Sequence, residues 1–313
     1  MKGMTRYWRW LGGAVFALAV WAQAGAVVPA VRKAAFAKDV ATAERLVAEY
    51  RAQKPEVTPQ LLEAISWVGR GASFAKQWDT AEKYAREALE GSQALLKTRK
   101  LDAEPSLPLA LGAAIEVLGA VQDGRGDRGG AVTFLREQRA RYQGTSIETR
   151  IQKNINLLSL EGKPAPAIAA PEWVGKKGQS LQELRGKVVL AFFWAHWCGE
   201  CKRQMPDLVK LQEAYGSRGL VIVGPTQLYG YVSRGQDATP EAELAYLRGD
   251  YQKRHPLPAW MAAPVSGENF LQFGVSTTPT LLLVDRRGIV RLYHPGTLSY
   301  EELASRVAAL VGS

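Results

Sequence analysis

The hydrophobic pattern divides the chain into two regimes. From about Val31 to Leu160, apolar and small residues recur at spacings of three and four, the period of an amphipathic helix. That spacing predicts helices over Ala37–Tyr50, Pro59–Ala75, Thr80–Leu96, Leu107–Val121, Arg128–Tyr142 and Ser146–Leu158. Thr58 and Asp79 suit helix N-caps, and Pro59 suits a first helical position. Gly91, Gly124, Gly126 and Gly144 read as stops. Beyond Gly162 the pattern changes to short continuous apolar runs: Val188–Trp194, Gly219–Gly224, Thr280–Val284 and Ile289–Tyr293. Runs of that length, rich in branched residues, are those of buried strands. Helical stretches after Cys198, over Pro240–Arg254, Glu268–Phe273 and Tyr300–Val311, separate or follow them, so the second half reads as α/β.

Prolines mark the change of regime. Gly162-Lys163-Pro164-Ala165-Pro166-Ala167, with Pro171, lacks backbone donors and disfavours helix, which predicts a linker over 162–171. The helical half carries an internal echo at a shift of fifty residues. Ile65 falls on Ile115, Gly69 on Gly119, Ala81 on Ala131 and Tyr84 on Phe134. Small residues where helices cross, followed by an aromatic, are what stacked helical hairpins require. The run from Trp78 to Leu89 resembles the second helix of a tetratricopeptide repeat, whose usual period is about 34 residues; the excess would be the Lys97–Pro108 connection. Such arrays often present a concave face to a protein partner. A plain helical domain that caps or dimerises the other half is the other reading of the same residues.

Residues 1–24 read as an export leader. Lys2, Arg6 and Arg9 precede an apolar stretch from Leu11 to Trp21, and Ala22-Gln23-Ala24 has the form of a cleavage site. The apolar stretch is shorter than the roughly 20 residues of a spanning helix. Cleavage after Ala24 would give a periplasmic or exported protein; retention would leave a membrane anchor. Apolar content of 47% and charged content of 22% are globular values. The net charge of +10 is spread along the chain without a basic block interleaved with aromatics, so no nucleic-acid partner is expected. Two cysteines and three scattered histidines (His196, His255, His294) give no metal-ligand pattern, and neither metal nor cofactor is expected.

The chemistry lies in the two cysteines, Cys198 and Cys201, three positions apart at the end of the apolar run Val188–Trp194. At that spacing, beside a helix start, they can bridge with little backbone movement. Cys198 would stand at a solvent-facing helix start, where orphan N–H groups and the helix dipole favour thiolate over thiol. Cys201, one turn inside, would be the shielded resolving thiol.

Trp197-Cys198-Gly199-Glu200-Cys201-Lys202 after an aromatic strand resembles the thioredoxin superfamily. Met205-Pro206 and the run Lys187–Leu190 are similar to its TlpA/ResA-type periplasmic disulfide reductases. Ser276-Thr277-Thr278-Pro279-Thr280, then Leu281–Asp285 and Gly288, carry the superfamily's second marker. The resemblance covers roughly Lys163 to Ser313. It implies a thioredoxin fold, a central mixed sheet flanked by helices, here preceded by an all-α tetratricopeptide-like domain. The expected domains are thus 25–161, helical, and 172–313, thioredoxin-like. It implies a cis Pro279 packed against the disulfide, and a short hairpin made by 172–175 and 179–181. Trp197, Thr278 and His196 become candidates for contacting substrate, with His196 a surface residue shaping partner choice. The family's buried acids are missing, because Phe192 and Gln204 occupy their places. Glu200 is the nearest carboxylate left; it could take the resolving thiol's proton, raise the thiol pKa by repulsion, or be a solvated helix-start acid.

The function expected is reduction of disulfides in exported proteins, in cytochrome c maturation among other settings, with a membrane electron donor for re-reduction and a protein partner on the helical domain. The alternative is a partner-binding scaffold whose thioredoxin half is structural. A peroxiredoxin is not favoured, since its Pro-x-x-x-Thr-x-x-Cys signature is absent. The segment Pro225–Pro258, with Tyr229, Tyr231 and a helix, exceeds what a minimal thioredoxin needs, and loops on a rigid scaffold commonly carry specificity.

Overall fold

The computed structural model describes residues 27–233 and 236–312; the leader read over 1–24 lies outside the described residues. Two compact units result. One runs to Phe134 with Thr145–Ile147, the other comprises Leu135–Gly144 and the chain from Glu148 onward.

The first unit is built from helices α1 (Val27–Phe36), α2 (Val40–Gln53), α3 (Pro59–Phe74), α4 (Trp78–Leu95), α5 (Ser106–Gly124) and the start of α6 (Arg128–Arg141). Three successive hairpins share one turn. Asp39, Gln77 and Asp127 donate their N–H to the carbonyls of Ala34, Ala72 and Gln122, closing the same six-residue loop each time. The left-handed residue in each loop is Lys38 (φ 58°), Lys76 (φ 58°) and Gly126 (φ 92°). The first two turns are 38 residues apart (38 to 76) and the next two 50 apart (76 to 126). The longer interval holds the 97–108 connection, so the echo at fifty residues is a helical-hairpin repeat with one lengthened link. Thr58 caps α3 by accepting the Leu61 N–H at 3.2 Å, with Pro59 first in the helix as expected.

Two sequence expectations fail in this unit. Asp79 is not a cap; α4 starts at Trp78, and Asp79 sits in its first turn and pairs with Arg125. Gly91 is not a stop either. It lies inside α4 where Leu62 packs so closely that a Cβ would come within 2.5 Å of Leu62 Cδ2. Glycine there serves helix contact rather than termination. Helix α5 is long and apolar enough to cross a membrane, but 61% of its most apolar window is buried, the mark of a core helix.

The second unit holds α7 (Glu148–Ser159) and a six-stranded sheet. Its strands are β1 (Glu172–Gly175), β2 (Val188–Phe193), β3 (Leu220–Val223), β6 (Ala262–Val265), β7 (Thr280–Val284) and β8 (Val290–Pro295), in the order β1-β6-β3-β2-β7-β8. The β2–β3 and β3–β6 pairs are parallel; β1–β6, β2–β7 and β7–β8 are antiparallel. This mixed sheet flanked by helices is the thioredoxin fold. Side chains alternate across it, as strand geometry requires. Val188, Leu190 and Phe192 face one core with Leu208 and Leu211 of α8 (Gly199–Tyr215) and with Leu303 and Val307 of α11 (Tyr300–Val311). Val189, Ala191 and Phe193 face the other, with Phe270 of α10 (Gly267–Gln272), Phe273 and Leu160. Both faces are covered, which is why these strands read as unbroken apolar runs.

Three boundaries differ from expectation. Strand β1 does not form a hairpin with 179–181, which is irregular; it pairs instead with β6, Trp173 opposite Pro264. The 162–171 stretch is not a free linker. Gly162, Lys163 and Ala165 exchange backbone hydrogen bonds with Val290 and Gly288, lining the sheet's edge beyond β8. Helix α7, expected with the helical domain, belongs to the sheet unit, where Asn156 donates to the carbonyl of Gln272.

Candidate active site

The parallel strands β2 and β3 end side by side, and the chain beyond them is tied down at once. Trp194 donates its backbone N–H to Pro225 O and its indole N–H to Gly224 O at 2.8 Å. Thr226 Oγ1 donates to Trp194 O at 2.8 Å. Ala195-His196-Trp197 then turns into α8, and Cys198 stands at the N-cap of that helix. Its sulfur accepts the Cys201 N–H at 3.0 Å, so one orphan donor of the helix start is directed at it. Cys198 and Cys201 are joined by a disulfide with Cα atoms 5.3 Å apart.

The Thr278–Pro279 peptide is cis, and the Thr278 carbonyl oxygen lies 3.5 Å from Cys198 Sγ. Residues eighty positions apart thereby meet at the sulfur (278 against 198). Pro279 itself is buried, Thr278 half-buried and Trp197 49% exposed. The expectation of a solvent-facing Cys198 needs correction. Cys198 is 5% exposed and Cys201 3%, because the Thr278 turn closes over the first and the apolar core surrounds the second.

The places of the family's acids are accounted for. Phe192 is fully buried in the core that also holds both cysteines. Gln204 is buried and clamps the loop before α11: its Nε2 donates to Leu298 O at 2.9 Å and its Oε1 accepts the Leu298 N–H at 3.0 Å. An ionised carboxylate in this place could accept but not donate. Glu200 points to solvent and pairs with Arg203 one turn on.

His196 is not a surface residue. It is buried beneath the 225–258 insertion, which contains the hairpin β4 (Tyr231–Ser233) and β5 (Gln236–Asp237) and the helix α9 (Pro240–Tyr246). That helix runs on through a wider π turn, Leu247–Tyr251, to Arg254. Rings of Tyr229, Tyr231, Tyr246 and Tyr251 meet the imidazole edge-on at 5.4 to 6.4 Å. His196 Nε2 lies 3.3 Å from Glu243 Oε1, off hydrogen-bond alignment. Burial pushes this imidazole below its ordinary value, against the opposing pull of Glu243.

Glu243 is the residue the sequence reading missed. It has no solvent exposure, and its carboxylate accepts the Tyr229 N–H at 2.9 Å and the Gly230 N–H at 2.8 Å. It sits one turn inside α9, after the Thr239 cap and Pro240, where an acid looks like ordinary first-turn charge. Nothing local signals that the Tyr229 loop folds back onto it.

Beside the disulfide, an open cavity of about 540 Å³ is lined by His196, Trp197, Lys202, Tyr231, Arg254 and His255 among others. A smaller one of about 150 Å³ reaches Cys201 itself. Among the described residues no group of three or more His, Cys, Asp or Glu is placed to share a metal ion. A buried dithiol with one sulfur at a helix N-cap can exchange with an outside disulfide without any added group.

The AhpC/TSA family matches residues 162–293. The thioredoxin-like protein YneN of Bacillus subtilis (strain 168) is 28% identical over 167 residues, 53% of this chain and 89% of that protein. The thiol:disulfide interchange protein DsbE of Pseudomonas fluorescens biotype C is 31% identical over 154 residues, 48% of this chain and 77% of that protein. The thiol-disulfide oxidoreductase ResA of Bacillus thuringiensis subsp. konkukian (strain 97-27) is 30% identical over 142 residues, 45% of this chain and 73% of that protein. With a Cys-x-x-Cys disulfide held where β2 runs into a helix, and relatives of that identity matched over most of their own length, the chain belongs to the thioredoxin-like thiol–disulfide oxidoreductases.

Proposed function

We propose that this oxidoreductase works outside the cytoplasm and in the reducing direction, on disulfides of exported proteins. The observation that carries the reading is the placing of Cys198 Sγ between the Cys201 N–H and the Thr278 carbonyl. In the reduced protein the N–H donor and the helix dipole hold Cys198 as thiolate. That sulfur attacks a substrate disulfide, one substrate sulfur leaves as thiolate, and a mixed disulfide remains on Cys198. Cys201 then attacks Cys198 Sγ and expels the second substrate thiolate, which leaves the protein with the disulfide seen here. Trp197, half exposed, and the Thr278–Pro279 backbone frame the place where a substrate polypeptide would lie.

The direction rests on two supports. Arg203 pairs with Glu200, so the thiolate depends on the helix start and not on that cation. The resemblance to TlpA/ResA-type reductases points the same way, and it makes the haem-attachment cysteines of apocytochromes c one proposed substrate. The export leader read over 1–24 supports a periplasmic setting, where a membrane electron donor would restore the dithiol. A protein partner is proposed for the helical unit, supported by the exposed rings of Phe36 and Phe74, with Phe36 packed on the half-buried Trp67.

Insulin reduction driven by dithiothreitol, compared between the native chain and Cys198→Ser, tests the reaction: activity is expected in the first alone, and equal rates end the reading. Titration against glutathione buffers tests the direction. A potential near that of thioredoxin, about −270 mV, is expected; one near about −120 mV marks an oxidant.

A further inference from the structure

The resolving step needs a base close to Cys201. That thiol is 3% exposed, with the buried rings of Phe192 and Trp194 beside it, and it must lose a proton before its sulfur can attack. The cavity of about 150 Å³ that reaches Cys201 is lined also by Lys202, Met205, Tyr251, His255 and Leu257. Space of that size holds several waters. Among its described lining residues three titrate besides the cysteine. Lys202 is a cation with donors only. Tyr251 is pushed up to about 12 by burial and keeps its proton at neutral pH. His255 alone offers a basic lone pair. Its ring is exposed to solvent, and partial burial with Lys202 and Arg254 nearby holds it below its ordinary value, hence neutral at pH 7.

We propose that His255 accepts the Cys201 proton through water in this cavity while the mixed disulfide resolves. The inference rests on the dithiol exchange described above. The Cys201 S–H bond breaks, the proton passes by water to a ring nitrogen, and the thiolate's electron pair forms the bond to Cys198 Sγ. The bond from Cys198 to the substrate sulfur breaks, and that sulfur departs as thiolate. The imidazolium then yields its proton to bulk water. Lys202 on α8 and Arg254 beside His255 both disfavour holding it, so the ring passes protons on instead of storing them. The Tyr251 ring lies against it, tilted, at 5.4 Å. Around the larger cavity that His255 shares stand His196, Tyr231, Tyr246 and Asp237, the last being the carboxylate among its described lining residues.

The test is stopped-flow reaction of the reduced full chain with 5,5′-dithiobis(2-nitrobenzoate). The first nitrothiobenzoate released reports attack by Cys198, and the second reports resolution by Cys201. In His255→Gln the second phase is expected to slow about tenfold relative to the first at pH 7, below the roughly hundredfold of full general-base assistance because bulk water still reaches this open cavity. Its pH profile moves to higher pH, and added imidazole restores the rate. An unchanged ratio and profile overturns the proposal. So does a fall in both phases together, or a slowing that imidazole leaves in place, since each marks a structural role. A native chain that shows no second phase refutes the exchange reading itself, a result independent of His255.

Discussion

Replacing Glu243 tests whether the Tyr229 loop of the 225–258 insertion is held to α9 by one buried carboxylate. The side chain is fully buried and accepts two backbone N–H groups, from Tyr229 at 2.9 Å and Gly230 at 2.8 Å. Hydrogen bonds to a charged group are worth about 1.5–3 kcal/mol each, and removing one partner of a buried pair costs about 3–5 kcal/mol. Glu243→Ala removes the acceptor of both donors and the neighbour of His196, so about 4 kcal/mol is expected locally. At 1.4 kcal/mol per factor of ten, that raises the opening constant of the loop roughly a thousandfold. Glu243→Gln keeps the shape and one acceptor, so about half the energy and roughly a thirtyfold change follow. Amide hydrogen exchange resolves the effect at Tyr229 and Gly230, whereas a global melt of a two-unit chain would not. Peptides covering β2 and β3 serve as the internal reference. If both variants leave the Tyr229 and Gly230 amides as protected as in the native chain, the carboxylate does not hold the loop and the reasoning fails.

The other predictions concern the remaining supports of the two units. His196 is held below its ordinary pKa of about 6.5, so below that pH the unfolded chain binds the extra proton first. Stability is therefore whole above about pH 6.5 and declines on acidification; thermal midpoints should fall between pH 7.5 and 5.5, and less so in His196→Gln. A midpoint that rises with acid would contradict the sign. Gln204→Leu strands the Leu298 N–H and C=O and should cost about 1–3 kcal/mol, read as a lower urea midpoint for the sheet unit. Gly71→Val places a Cβ 2.9 Å from the Ala35 Cα in the helical unit and should cost about 1–3 kcal/mol by overpacking. Helix melting followed by circular dichroism at an unchanged temperature would show that α1 does not pack there.

What the sequence made legible was whatever one element declares by itself. The strand Val188–Phe193, the cysteine pair at a helix start and the Pro59 helix each carry a local period or cap, and each stands where expected. The redox pair and Pro279 came together through motif resemblance, since no period in either stretch announces contact across eighty residues. Misreadings arose where tertiary contact overrode local preference. Gly91 reads as a breaker but accommodates Leu62, and Asp79 reads as a cap but pairs with Arg125. Strand β1 reads as half of a hairpin, yet its partner is β6, some ninety residues on (264 against 173). His196 reads as polar and exposed because the lid over it is supplied by an insertion thirty residues away (229 against 196), whose own anchor, Glu243, resembles an ordinary helix-start acid. Phe192 and Gln204 show the same limit. Their identity said only that no acid stands there, while the core around Phe192 and the amide clamp on Leu298 say what stands there instead.

The most direct measurement of the central claim is trapping of the mixed disulfide. Cys201→Ser, incubated with a disulfide-bearing protein, is predicted to retain a covalent adduct that mass spectrometry places on Cys198 and that dithiothreitol removes, while Cys198→Ser retains none. An adduct carried by Cys201 in the Cys198→Ser variant, with none on Cys198 in its counterpart, would contradict the assignment of the attacking sulfur.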